Sequence, residues 1–133
     1  MNSPESPFQK IKIDQVMNNT VVSVDSSVSA SDAAKMMEDT DVGAVIVLEN
    51  GSPIGIVTDR DFAIKITAHS YPTDTPVRRM MSSPLISIDS KSDLWMASDL
   101  MSARNVRKLP IIDDDKVVGI ITSSDIVKHI ADH

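Results

Sequence analysis

Apolar residues along this chain follow two rhythms, one of strands and one of helices, and the whole succession of rhythms occurs twice. Val21-Val22-Ser23-Val24 is a β-branched run that predicts a short strand, and Leu85-Ile86-Ser87-Ile88 predicts its counterpart. A polar stretch follows each run and ends in Ser29 or Asp93, side chains suited to capping a helix. Ala30, Ala33, Ala34 and Met37 then recur at i, i+3, i+4 and i+7, the spacing of one helical face. The second copy offers Leu94, Ala97 and Met101, with Trp95 and Met96 widening the stripe. Ala44-Val45-Ile46-Val47-Leu48 and Ile54-Gly55-Ile56-Val57 flank Asn50-Gly51, which tolerates positive φ and predicts a hairpin. Closing helices follow Thr58, carrying Phe62 and Ile66, and Thr122, carrying Ile126, Val127 and Ile130.

The two copies stand in register at one offset of 64 residues, without gaps. Gly55-Ile56-Val57-Thr58-Asp59-Arg60-Asp61 falls on Gly119-Ile120-Ile121-Thr122-Ser123-Ser124-Asp125. Met17 falls on Met81, Ser23 to Ser26 on Ser87 to Ser90, Ala33 on Ala97 and Met37 on Met101. The first repeat therefore spans 11–68 and the second 77–131, with a linker at 69–76 whose two prolines interrupt helix and strand alike. Strand, helix, strand, strand, helix, twice over, predicts an α/β module with two small sheets packed together.

Composition narrows the function. With 133 residues, 41% of them apolar and only 3% aromatic, the chain has enough side chains for an aliphatic core. Its eight methionines are read as fillers of helix packing rather than as an adaptable binding surface. A net charge of −6, with neither a basic run nor an aromatic platform, argues against nucleic acid as a partner. The absence of cysteine excludes disulfides, zinc thiolates and a cysteine nucleophile. No segment approaches the roughly 18 apolar residues of a membrane span. Met1 to Gln9 is polar and carries prolines, unlike a signal peptide. These features predict a cytoplasmic protein.

No motif of catalysis stands out: there is no nucleophile–base pairing, glycine-rich phosphate loop or paired-carboxylate motif. Asp113-Asp114-Asp115 invites a metal reading, but consecutive carboxylates do not converge on one ion, and a solvated turn is expected. His129 and His133 have an i, i+4 spacing that a metal could use, yet His133 is the last residue, so chance spacing is the preferred reading.

Val16-Met17 and Met80-Met81 ahead of the first strands, Arg107-Lys108-Leu109-Pro110-Ile111-Ile112-Asp113, and the two Gly-apolar-apolar-Thr-x-x-Asp closures resemble tandem CBS domains, from about residue 11 to 131. The resemblance implies two repeats with pseudo-twofold symmetry and two clefts, each able to hold an adenosyl ligand. It implies that the closing Thr and Asp hold ribose, that the first strand of the other repeat meets adenine, and that phosphates lie near the last helix. Cleft one then takes Thr58, Arg60 and Asp61, with Pro84, Leu85 and Ile86 against the base and Arg107 and Lys108 near phosphate. Cleft two takes Thr122, Ser124 and Asp125, with Thr20, Val21 and Val22 opposite; its counterparts of Arg107 and Lys108 are Gly43 and Ala44, which puts phosphate binding there in doubt. The chemistry agrees, since a carboxylate accepts two ribose hydroxyls and helix N-terminal amides attract phosphate.

These residues also have plain structural readings. Thr58 and Thr122 would cap helices with no ligand present, Asp61 and Asp125 would offset a helix dipole, and Arg107 and Lys108 would sit as solvated charges. The expected function is a non-catalytic sensor of AMP, ADP or ATP that needs no cofactor and acts through an unidentified regulated protein. The alternatives are a dimerisation scaffold with empty clefts, or a binder of S-adenosylmethionine or a cyclic dinucleotide. A homodimer is expected through the helices carrying Met36, Met37, Leu100 and Met101.

Overall fold

The computed structural model describes residues 11–132. Their contacts form two compact units. One is contiguous, Val22–Leu85; the other is split, joining the chain up to Val21 with the chain from Ile86 onward.

The contiguous unit holds β1 (Ser23–Asp25), helix α1 (Ala30–Thr40), β2 (Ala44–Glu49) and β3 (Ser52–Thr58). Its closing helix begins as one α-turn, α2 (Asp59–Asp61), and continues as π-helix over Phe62–Ala68. A regular α-helix was expected here. β1 runs parallel to β2, and β2 antiparallel to β3, giving the order β1-β2-β3. Ser29 caps α1 by accepting from the Asp32 N–H at 3.1 Å, as its position in the sequence predicts. Asn50 and Gly51, at φ 53° and 80°, make the expected hairpin turn.

The split unit holds α3 (Leu94–Arg104), β4 (Lys108–Asp113), β5 (Lys116–Thr122) and α4 (Ser123–Ala131). Asp93 caps α3 by accepting from the Met96 N–H at 2.8 Å. The strand expected over Leu85–Ile88 is reduced to a single bridge between Ile88 and Ile111. The cause is one residue. In the contiguous unit the Ile46 N–H donates to Val22 O at 2.8 Å, and the aligned position in β4 is Pro110, which has no N–H to give to Ile86. Only the bonds on either side of Ile88 survive, from Ile88 N to Pro110 O and from Ile112 N to Ile88 O.

Each unit is completed by the lead-in segment of the other repeat. In the split unit Ile13 N–H donates to Ser92 O at 2.8 Å and Leu94 N–H to Ile11 O at 3.0 Å. In the contiguous unit the aligned bonds run from Val77 N–H to Val28 O and from Ala30 N–H to Thr75 O, both 2.8 Å. Ile13 is fully buried with Leu94, Ala97, Met101, Leu109, Ile111 and Ile121; Val77 and Met80 are fully buried with Val24, Ala33, Val45, Val47 and Val57. Each exchange is locked by a methionine on a glycine. A Cβ at Gly55 would stand 2.5 Å from Met81 Sδ, and one at Gly119 would stand 2.6 Å from Met17 Sδ. Only glycine leaves room for these side chains, which explains a glycine inside each third strand of the pattern.

The expected apolar stripe of α3 needs correction. Leu94, Ala97 and Met101 are buried, but Trp95 and Met96 are half-exposed rather than part of the core. Met37 and Met101, expected at a dimer interface, are core residues of their own units.

Candidate functional site

Both Thr-x-x-Asp closures stand where a strand turns into a helix. In the contiguous unit, Asp61 Oδ2 accepts from Thr58 N–H at 2.8 Å and from Thr58 Oγ1 at 3.3 Å. In the split unit, Asp125 Oδ2 accepts from Thr122 N–H at 2.9 Å, and Asp125 N–H donates to Thr122 Oγ1 at 3.1 Å, a reciprocal cap. One carboxylate oxygen of each aspartate is thus committed to holding the helix start. The structural reading of these residues holds whether or not a ligand binds.

Pro84 and Leu85 belong to the same unit as Thr58, Arg60 and Asp61, whereas Ile86, Arg107 and Lys108 belong to the split unit. Thr20 and Val21 fall in the split unit with Thr122, Ser124 and Asp125, and Val22 opens the contiguous one. Arg60 and Ser124 are exposed, each one residue before its aspartate. The lead-in reaches the third strand through the bond from Ser82 N–H to Ile56 O at 3.0 Å, and through paired bonds between Asn18 and Ile120 at 2.8 and 2.9 Å.

Each closure is backed by the start of its own hairpin. Ser123 N–H donates to Arg107 O at 2.9 Å, and Lys108 pairs with Thr122 across β4 and β5. The aligned bond in the other unit runs from Asp59 N–H to Gly43 O at 3.1 Å, with Ala44 opposite Thr58. The sequence expectation placed Arg107 and Lys108 with Thr58; their backbone neighbours are Thr122 and Ser123.

Lys65 is a neighbour of Asp61 that sequence reasoning missed. Its Nζ lies 3.8 Å from Asp61 Oδ1, and it also donates to the Met80 carbonyl oxygen. An ammonium four residues after an aspartate is a legible helical pair, so the signal was present in the sequence. The aligned residue in the split unit is His129, so the two aspartates differ in the group one turn on.

The acidic triplet is resolved by its contacts. Asp113 ends β4 and accepts from the Ser90 hydroxyl and, at 3.0 Å, from Ser90 N–H. The Ser90 hydroxyl, then its amide, then nearby Lys91 hold the Asp113 carboxyl below the usual carboxylate range. Asp114 and Asp115, at φ 50° and 64°, form the turn. Asp25 is held low in the same way by the Ser27 hydroxyl and then by the Ser27 amide. Among the described residues no group of three or more carboxylates and histidines converges as a metal site, and His133 of the suggested histidine pair lies outside them.

A family model of the CBS domain matches the chain twice, over residues 13–67 and 77–132. The chain belongs to the CBS-domain family. Among relatives, it is 36% identical over 114 residues to the CBS domain-containing protein YhcV of Bacillus subtilis, covering 86% of this chain and 81% of that one. It spans only 63% and 32% of two longer archaeal relatives. A solved structure from Pyrococcus horikoshii superposes with a TM-score of 0.85 at 28% identity, covering 92% of this chain and 93% of the other. A hexameric CBS-CP12 protein from bloom-forming cyanobacteria gives 0.83 at 27% identity, over 88% of this chain and 66% of the other. A putative signal-transduction protein with CBS domains from Burkholderia ambifaria gives 0.82 at 26%, over 90% and 93%. The CBS pair here is thus of a kind found in signalling and in assembled proteins. No helix among the described residues is long and apolar enough to cross a membrane.

Proposed function

We propose that this CBS pair is a cytoplasmic, non-catalytic regulatory module that binds AMP, ADP or ATP and passes its occupancy to a partner protein. The observation that carries the reading is the repeated Thr–Asp helix start, in which an exposed residue, Arg60 or Ser124, precedes each aspartate. One oxygen of each aspartate serves the cap, and the other, which at Asp61 stands beside Lys65, can accept a ribose hydroxyl. Arg60, Arg107 and Lys108 supply cations that a phosphate needs in a chain of net charge −6. Their unequal distribution makes the two sets of residues unequal binders. The proposal departs from the sequence expectation at one point: Arg107 and Lys108 serve the Thr122–Asp125 set, because β4 pairs Lys108 with Thr122.

Isothermal calorimetry with AMP, ADP, ATP and adenosine tests the reading. Asp61→Ala should weaken nucleotide binding roughly ten- to a hundredfold, the loss of a charge-assisted hydrogen bond. Nucleotide affinity unchanged in a folded variant returns Asp61 to capping alone. S-adenosylmethionine and cyclic dinucleotides belong in the same panel.

A second reading is a dimerisation scaffold with empty clefts, favoured by the fact that both aspartates are already occupied as caps. Self-association belongs to both readings. We infer a homodimer that uses exposed apolar helix residues, Met36, Ile64, Val127 and Ile130, in place of the buried Met37 and Met101. Sedimentation of the calorimetry samples reads the assembly directly.

A further inference from the structure

The outer face of α3 bounds a groove of about 530 Å³, lined by Ile88 and Ile112 on the strand side and by Trp95, Met96 and Leu100 on the helix side. It lies wholly within the split unit. Trp95 is 52% exposed and Met96 51%, unusual for the chain's sole tryptophan and a long thioether. The internal repeat supplies a control for this patch. At the aligned positions of α1 stand Ser31, Asp32 and, in place of Ala103, Asp39, so the sister face is polar at these three positions and keeps only Met36, aligned with Leu100, as an apolar residue. The fold therefore does not require apolar residues at Trp95, Met96 and Ala103, and their presence answers to something other than the core.

Charge identifies what that is. Asp89 and Asp99 flank the groove, and Asp99 stands where the sister helix has Lys35. Both carboxylates sit beside apolar floor, in a chain whose net charge is −6. A second copy would bring the same acidic groups to its own kind, whereas a basic segment would neutralise them while covering Trp95 and Met96. The strand edge adds a polar rim. Ile88 spends its N–H and C=O on β4, and Ser87 and Asp89 on either side of it line the groove with polar side chains. We propose that this groove docks a partner segment with an apolar stripe flanked by lysine or arginine, and that it is the contact surface of the second repeat for a regulated protein.

Trp95 is its own reporter. The probe is a synthetic amphipathic peptide of leucine and lysine, with a leucine–glutamate peptide of the same pattern as control, titrated into the full chain. The expected result is a blue shift of Trp95 emission that saturates at one peptide per chain, with no shift from the glutamate peptide. Trp95→Ser with Met96→Asp, copying the sister helix, should weaken the lysine peptide at least tenfold by calorimetry. Because that variant is more acidic, mere charge attraction would instead bind the peptide as tightly or more so. Asp99→Lys, which keeps the reporter, should weaken it severalfold. Undiminished binding by either variant overturns the proposal, as does equal binding of the glutamate peptide. A blue shift on concentrating the protein alone assigns the groove to a second copy, and a red shift on removing residues 1–10 assigns it to the chain's own beginning. Either outcome overturns it too.

Discussion

The contiguous and split units are aligned residue for residue, yet one carries a three-stranded sheet and a polar outer helix, the other a two-stranded sheet and an apolar one. Single positions account for both differences. Pro110 in place of Ile46 removes the N–H that would extend the first strand, and Trp95 and Met96 in place of Ser31 and Asp32 change the helix surface. What stays constant is instructive. The caps at Ser29 and Asp93, the Thr–Asp closures, and the methionine-on-glycine contacts recur in both units. Serine to the carboxylate at the end of the second strand recurs as well, Ser26 to Glu49 at 3.3 Å and Ser90 to Asp113. Positions that close the fold are held twice, and positions on its surface are free to diverge.

The largest test of this comparison lies in the exchanged lead-ins. Ile13→Ala should cost about 2–5 kcal/mol, since the fully buried side chain leaves a cavity. Val77→Ala, at the aligned position, removes one carbon fewer and should cost about 1 kcal/mol less. Urea unfolding followed by Trp95 emission, which reports from the split unit, reads both. If the units unfold independently, only Ile13→Ala moves the Trp95 midpoint; equal shifts would show that the two units melt as one.

A smaller effect separates the two Thr–Asp sets. Arg107→Gly with Lys108→Ala, which copies Gly43 and Ala44, should weaken nucleotide binding more than adenosine binding. Combined with Asp125→Ala, the changes should be non-additive by about 0.5–3 kcal/mol, and additive with Asp61→Ala. The reverse pattern in calorimetry would return the basic pair to the Thr58 set.

The smallest concerns acid. Asp113 and Asp25 are held below the usual carboxylate range by serine hydroxyls, so folding favours their charged forms. The unfolded chain then binds more protons below about pH 4, and the stabilisation present above that range is lost as pH falls through the folded values. Asp113→Asn should lower the neutral plateau of a stability–pH curve and converge with the parent protein at the acid end, so that the acid limb flattens. An unaltered acid limb would show that the Ser90 contact contributes nothing.

Much of this was legible in the residues. The offset of 64 locates both hairpins, both helix caps and both closures in the sequence alone. The loss of the second first strand is legible too, in Pro110 standing where the first repeat has Ile46. The exchange of lead-ins was not, because Ile13 and Val77 look alike in local pattern and only tertiary packing decides which core each enters. Trp95 and Met96 misled for a related reason: helical spacing places a residue near a stripe, while burial depends on what faces it. The Asp61–Lys65 pair was within reach of spacing alone.

Split construction has a consequence for how the chain is made. Ribosomes deliver residues in order, and the contiguous unit is complete once Leu85 has emerged. The split unit then holds only its opening portion, with Ile13, Val16 and Met17 still lacking the strands they will pack against. At about 5–20 residues per second, the stretch from Ile86 to His133 takes roughly two to ten seconds to appear. For that interval the nascent chain carries one finished unit and an apolar segment around Ile13 without its partners. Any chaperone that attends this protein has its opening there, and a pause in translation after Leu85 would lengthen it.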